Sequence, residues 1–242
     1  MPLHFLVDDH DLSEIAVGDA LAITGAEAHH AAVVRRVRPG EGVTVGDGRG
    51  TWLEASVIDA APKLVQVEVS SVRRVEAPSR RVVLVQALAK GDRDELAVQA
   101  ATELGADAII PWQAARSISR WDAAKAAKGV ARWRSIVREA SKQAHRPWVP
   151  EVLPPANLAD LLAHPGEKIV LEPGAHTSLS SHQPADGDIL LIVGPEGGIA
   201  PDELERLAAA GAALVRLGSE VLRTSTAGPA ALSLLNVRLG RW

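Results

Sequence analysis

The sequence predicts an α/β protein: a sheet of buried strands alternating with helices, preceded by a small β-rich domain. Three observations lead there. Beyond about residue 80, short continuous apolar runs such as Val82-Val83-Leu84-Val85 and Ile189-Leu190-Leu191-Ile192-Val193 alternate with helical stretches, the pattern of strands buried on both faces. Before residue 75 the runs are short and regularly spaced, which suggests a small barrel. Two late runs end in glycine-bearing loops, Gly194-Pro195-Glu196-Gly197-Gly198 after Val193 and Gly218-Ser219-Glu220-Val221-Leu222-Arg223-Thr224 after Leu217. Ligands of open α/β sheets bind outside the carboxyl ends of such strands, where glycine lets them approach the backbone.

The 242 residues suffice for one large or two modest domains. No apolar run approaches the ~18 residues of a membrane span. Met1-Pro2-Leu3-His4-Phe5 shows no basic segment followed by an apolar stretch, so no signal peptide is expected. The absence of cysteine excludes disulfides, thiolate zinc sites and a cysteine nucleophile, and agrees with a cytoplasmic protein. The net charge of −4 is unevenly spread. Residues 1–30 carry six acids and no Lys or Arg, residues 116–146 nine Lys or Arg against two acids, and residues 151–210 two basic against ten acidic residues. An acidic protein can bind RNA through such a local basic face; a solvated helix surface gives the same pattern.

In chain order, Leu21-Ala22-Ile23, Gly42–Val45, Trp52–Ile58 and Leu64–Val69 read as strands. Gly46-Asp47-Gly48-Arg49-Gly50 has no helix after it, so it reads as a hairpin turn and not a dinucleotide loop. Glu27–Arg36 is helical; its adjacent His29 and His30 lack metal-ligand spacing. Val75–Ser79 is a linker, which sets domains at 1–74 and 80–242. Arg81–Leu88 is a buried strand, and a helix over residues 90–104 carries Leu96, Ala100 and Leu104 at four-residue spacing before Gly105. After strand Ala108–Pro111, a basic helix over 123–145 has an apolar face of Trp133, Ile136, Val137 and Ala140. By spacing, Glu139, Gln143 and Arg146 share one face of it. Five prolines between 147 and 166 leave room only for a short helix at Leu158–Leu162. Lys168–Pro173, Ile189–Val193 and Ala213–Leu217 are strands, and Pro201-Asp202-Glu203 opens a helix. Thr224 is expected to N-cap the last helix, Ser225 to about Leu239.

The two glycine loops, GPEGG and then LGSEVLRT in that order and spacing, resemble the carboxyl-terminal signature of the RsmE-type 16S ribosomal RNA uridine-N3 methyltransferases of the SPOUT superfamily. Lys90, Arg93 and Glu95, Glu103-Leu104-Gly105, and Glu139-Ala140 with Gln143 and Arg146 fall on further motifs of that family, and His30–Gly40 resembles a segment of its amino-terminal barrel. The match covers nearly the whole chain. The resemblance implies a SPOUT-like methyltransferase domain tied in a trefoil knot, a PUA-like β-barrel that docks RNA, S-adenosyl-L-methionine as cofactor, no metal and no membrane. It also implies small-subunit ribosomal RNA as partner, and a homodimer in which one subunit's knot meets residues of the other. The implied cofactor residues are Leu171, Gly194, Pro195, Glu196, Gly197, Gly198, Leu217, Gly218, Val221, Leu222 and Thr224. The candidate RNA contacts are Arg35, Arg36, Arg38, Lys90, Arg93 and Arg116, and the candidate catalytic residues are Arg223, Glu139, Gln143 and Arg146.

The chain lacks a G-x-x-x-x-G-K-[ST] phosphate loop, a G-x-S-x-G elbow and an H-E-x-x-H pair. Methyl transfer to a uridine N3 needs in-line alignment and removal of the N3 proton. The family commonly has Glu where this chain has Ser225. Without that carboxylate, Arg223 is expected to stabilise the deprotonated uracil, the proton passing to water or to Glu139. An ion pair between Arg223 and an acid such as Glu196 is the structural alternative. Two other functions fit the same features: a SPOUT methyltransferase acting on ribose 2′-O or on transfer RNA, and a non-catalytic RNA-binding assembly factor.

Overall fold

Two sheets organise the chain, each in its own unit. A computed structural model describes residues 2–7 and 10–242; Met1, and Asp8 and Asp9 among the amino-terminal acids, lie outside the described residues. One unit comprises Met1–Ala77 with Ser141–Val149, the other Pro78–Ala140 with Pro150–Trp242.

The first unit is built on β1 (Leu3–Leu6), β2 (Ala20–Thr24), β3 (Gly42–Gly46), β4 (Thr51–Ala61) and β5 (Leu64–Arg74), in the order β1-β3-β4-β5-β2. Only the β1–β3 pair is parallel. Along β5, Val65, Val67 and Val69 are buried while Gln66 and Glu68 are exposed, the two-residue period of a strand with one wet face. They join Phe5, Ile23, Val45 and Leu53 in one core. β1 escaped the sequence reading because four residues carry too little periodicity. Gly46–Gly50 is indeed the β3–β4 hairpin, with Asp47 Oδ1 accepting the N–H groups of Arg49 (2.7 Å) and Thr51 (3.0 Å).

The expected helix at 27–36 is in fact α1 (Gly25–His29) followed by one π-helical stretch, His30–Arg35. Arg36 ends it at φ 55°, and the Val37 N–H closes on the Ala31 carbonyl at 3.1 Å. Val37 is thereby turned into the core, while Arg35, Arg36 and Arg38 stay exposed. Residues 141–149 are fastened to this unit. Gly50 N donates to Pro147 O (2.9 Å), Val149 N to Gly48 O (3.0 Å) and Trp148 Nε1 to Val75 O (2.9 Å). Lys142 and Glu27 form a nearly buried ion pair at 2.9 Å.

The second unit holds β6 (Val82–Ala87), α2 (Arg93–Glu103), β7 (Ala108–Trp112), β8 (Glu151–Val152), α4 (Leu158–Ala163), β9 (Glu167–Leu171), β10 (Thr177–Ser178), β11 (Ile189–Val193), α5 (Pro201–Ala209), β12 (Ala213–Arg216) and α6 (Thr224–Arg238). It also carries most of α3 (Ala123–Gln143). Its seven strands are all parallel, in the order β10-β12-β9-β11-β6-β7-β8. Alternate residues of β6 face opposite sides, as the pleat requires. Val82 and Leu84 pack with Ala101 of α2 and with Leu232 and Leu235 of α6. Val83 and Val85 pack with Leu161 of α4 and Leu207 of α5 on the other face. Helices on both faces explain why the strands read as unbroken apolar runs.

Of Leu96, Ala100 and Leu104, Leu104 packs against the core but Leu96 is 50% exposed, and the buried positions of α2 include Ala97, Val98, Ala101 and Thr102. Small side chains let α2 lie close to α6, so the spacing of leucines alone missed the buried alanines. No helix among the described residues is long and apolar enough to cross a membrane.

Candidate active site

The carboxyl ends of three adjacent strands open into a cleft of about 320 Å³, within the usual range for small-ligand sites. Leu171 at the end of β9, Val193 at the end of β11 and Val215 in β12 form its floor. The two glycine loops found in the sequence form its walls. Of the eleven expected cofactor residues, ten line this cleft: Leu171, Gly194, Pro195, Glu196, Gly198, Leu217, Gly218, Val221, Leu222 and Thr224. Gly197 stands behind the loop, its carbonyl accepting from Arg116 Nη1 at 3.1 Å.

The first loop leaves β11 and turns back at once. Gly198 N donates to Pro195 O at 2.9 Å, and Gly198 sits at φ 71°, a conformation that side chains disfavour. At Gly194 space decides instead, since a Cβ there would lie 2.7 Å from Ile199 Cγ1. Glu196 is held inward: its Oε1 accepts the Lys90 N–H at 2.8 Å and pairs with Arg93 Nη1 at 3.5 Å. The acid considered as a partner for Arg223 is thus taken by Arg93, and among the described residues Arg223 forms no ion pair and stands exposed on the cleft. In the first turn of α2, burial pushes the Asp94 carboxyl above the usual carboxylate range, opposed by the N–H groups of Ala89 and Glu95. Beyond the loop, Glu203 caps Ala200 N (3.2 Å) and Ala115 N (2.8 Å), fixing the start of α5.

The second loop is open. Val221 is 76% and Leu222 38% exposed at the rim. It ends at α6, where the expectation for Thr224 is corrected. The N-cap is Arg223, and Thr224 is the first helical residue. The Thr224 hydroxyl donates to Gly194 O at 2.8 Å and accepts from Gln86 Nε2 at 2.9 Å, which joins both walls of the cleft to β6. Gln86 was missed in the sequence. The available signal was its amide in a strand whose six residues are all buried.

Glu139, Gln143 and Arg146 do not line the cleft. Nor do the three share a helix face. α3 ends at Gln143, with His145 at φ 53°, the His145 N–H bonded to Lys142 O and the Arg146 N–H to Ser141 O. This left-handed termination turns Arg146 off the helix axis. Glu139 is exposed on α3, and Gln143 and Arg146 belong to the first unit. Of the candidate RNA residues, Lys90, Arg93 and Arg116 surround the first loop, whereas Arg35, Arg36 and Arg38 lie on the π-helical turn of the first unit and just beyond it. Among the described residues no group of acids and histidines is placed to hold a metal ion.

Comparison with known proteins places this geometry. Residues 75–236 match the family described as RNA methyltransferase domain, and residues 23–70 the RNA methyltransferase PUA domain. The chain is 43% identical over 235 residues to the ribosomal RNA small subunit methyltransferase E of Mycobacterium bovis, covering 93% of this chain and 89% of that protein. It is 33% identical over 237 residues to the Bacillus subtilis protein of the same name, covering 92% of each. The crystal structure of a ribosomal RNA small subunit methyltransferase E from Neisseria gonorrhoeae bound to S-adenosyl methionine superposes with a TM-score of 0.86 at 29% identity, covering 98% of both chains. A relative from Legionella pneumophila, also in complex with S-adenosylmethionine, gives 0.85 at 30% identity over 98% of both.

Proposed function

The chain belongs to the ribosomal RNA small subunit methyltransferase E family, and from that premise we propose that it methylates N3 of a uridine in small-subunit ribosomal RNA, using S-adenosylmethionine held in the cleft between its two glycine loops. The observation that carries this reading is the cleft itself, at the carboxyl ends of β9, β11 and β12 and lined by ten of the residues named from the two motifs.

The residues present suit that cofactor. The floor is apolar, and the charged lining carries both signs, Glu172, Glu196 and Glu220 with Arg93, Arg216 and Arg223, which suits a ligand that bears a carboxylate as well as cationic groups. Bound there, the cofactor supplies a methyl group already activated on a sulfonium. The protein's own tasks are alignment and charge. Backbone groups of both loops fix the ligand, and rigid walls hold it in line with the acceptor. Arg223, in no ion pair among the described residues and exposed on the cleft, stabilises the negative charge that spreads over uracil when N3 loses its proton. With Ser225 next to it, no carboxylate takes that proton from the start of α6, and because Glu139 lies outside the cleft, water receives it. Gln143 and Arg146 contact the RNA from the first unit.

Arg35, Arg36 and Arg38 dock the RNA by its phosphates. The protein works as a homodimer in which a second copy covers the apolar rim at Val221 and Leu222, and the loops of the second unit are threaded as a trefoil knot. A cytoplasmic location follows from that substrate.

The test is transfer of labelled methyl from S-adenosylmethionine to small-subunit ribosomal RNA by the purified protein, followed by digestion to nucleosides. Label in N3-methyluridine is expected. Label on a ribose 2′-oxygen, or no transfer despite cofactor binding, overturns the assignment.

A further inference from the structure

A carboxamide among otherwise apolar central strands is costly to bury unless its hydrogen bonds are made. Gln86 is fully buried on β6, the strand between β11 and β7, beside Val193 and Pro111. Its Nε2 lies 3.1 Å from the Ala87 carbonyl and 2.9 Å from Thr224 Oγ1. A carbonyl oxygen only accepts, so the amide must present N–H to Ala87; the flipped amide would set two oxygens against each other. The second N–H then points at Thr224, whose hydroxyl accepts it and has its single proton left for Gly194 O, 2.8 Å away. The direction of every bond in the chain Gln86 to Thr224 to Gly194 is therefore fixed by one backbone carbonyl. Gly228, one turn into α6, leaves room for the arrangement: a Cβ there would lie 3.1 Å from Leu84 Cδ1, 3.4 Å from Val193 Cγ2 and 3.9 Å from Gln86 Oε1.

We propose that Gln86 is a positioning residue for cofactor binding: acting only as a donor, it sets the Thr224 hydroxyl so that this clamps the Gly194 carbonyl and locks the first glycine loop to the start of α6. Gln86 does not line the cleft, so it acts through Thr224 and Gly194, which do. The inference rests on the reading that the cleft holds S-adenosylmethionine.

The test exploits the direction of the chain. Gln86→Glu keeps the shape of the side chain, but an ionised carboxylate only accepts. Thr224 must then donate to it and release Gly194, and the carboxylate also faces the Ala87 oxygen. When protonated, the same side chain can donate again. Burial raises a carboxyl pKa, in documented cases to about 8–9, so the protonated form is reached within a usable range. S-adenosylmethionine affinity is measured by calorimetric titration from about pH 6 to pH 9 in wild type, Gln86→Glu, Gln86→Leu and, as a control for added charge, Gln183→Glu at an exposed site. For Gln86→Glu the expected result is a loss of affinity of about 10–100-fold at high pH, recovered as pH falls; Gln86→Leu loses affinity at every pH. Thr224→Val is expected to lose as much, and Thr224→Ser, which keeps the hydroxyl, to restore it. That second pair decides the matter if Gln86→Glu does not fold. Wild-type affinity in Gln86→Glu throughout, a loss independent of pH, or equal losses in Thr224→Val and Thr224→Ser each overturn the proposal. Absence of binding by the wild type would instead overturn the cofactor reading on which it rests.

Discussion

The two units solve different binding problems. In the first, the groups proposed to meet RNA are Arg35, Arg36 and Arg38, all exposed on a π-helical turn and its continuation, with none in an ion pair among the described residues. In the second, the groups that shape the cleft are held: Glu196 by Lys90 and Arg93, Glu203 by two backbone N–H groups, and Thr224 between Gln86 and Gly194. Exposed cations act over distance, are screened by salt and tolerate loose geometry. A cleft that must align reacting atoms needs fixed geometry, which tertiary hydrogen bonds supply. Changes in the cleft of the second unit should therefore have large effects that salt does not alter, and changes at the exposed arginines of the first smaller effects that salt does.

The largest effect is expected at Arg223, which the rest of the cleft leaves unpaired. Arg223→Ala should lower the methyl-transfer rate by about 10²–10³ with near-normal cofactor affinity. Raising the pH should restore part of it, since hydroxide then ionises the uracil unaided. Arg223→Lys should recover less than half of the lost logarithm, because lysine keeps the charge but not the planar fork. Single-turnover rates against pH, with calorimetry for the cofactor, check this; an Arg223→Ala enzyme at full rate would assign the residue no role.

Next is the loop itself. Gly194→Val places side-chain carbon against Ile199, where a Cβ would already lie at 2.7 Å. Overpacking of this kind costs about 1–3 kcal/mol, so cofactor affinity should fall roughly 10–100-fold while circular dichroism shows a folded protein. Calorimetry giving wild-type affinity would mean that the loop does not shape the site.

The contrast between the units is sharpened by replacing Arg35, Arg36 and Arg38 with Ala. RNA binding should weaken and its salt slope should drop by roughly one for each phosphate no longer neutralised, with cofactor affinity unchanged. An unaltered slope would remove the docking role from the first unit.

The smallest expected effect is a surface one. Burial raises the Asp188 carboxyl pKa, but the backbone N–H and guanidinium of Arg81 outweigh it and hold the group below the usual range. A depressed carboxylate contributes stability above its unfolded pKa and loses it as pH falls through the folded one. Half of the Arg81 side chain is exposed, so the pair contributes only about 0.2–1 kcal/mol. Urea midpoints for wild type and Asp188→Asn should differ slightly at neutral pH and converge in acid.

How far these features could be read from sequence follows the same division. The parallel strands were legible because burial on both faces makes unbroken apolar runs, and the glycine loops because each glycine answers a local need, a positive φ at Gly198 or close packing on Ile199 at Gly194. What escaped depends on partners distant in sequence. Gln86 has meaning only beside Thr224, 138 residues later. Residues 141–149 join the first unit through Glu27, Gly48 and Val75, whereas sequence order assigned them to the second domain. Arg146 left the expected face because a non-glycine residue, His145, adopts the left-handed conformation that ends α3. The π-helical turn at His30–Arg35 was read as ordinary helix because six residues are too few to tell the two periods apart.

Transfer of the methyl group to one uridine N3, from a cofactor fixed between the two glycine loops and with the help of Arg223, is tested most directly by mass spectrometry of small-subunit ribosomal RNA from cells lacking this gene. The account predicts the loss of a single N3-methyluridine, restored by the wild-type gene and not by the Arg223→Ala form. A ribosomal RNA with every N3-methyluridine intact, or one restored equally by both forms, would contradict it.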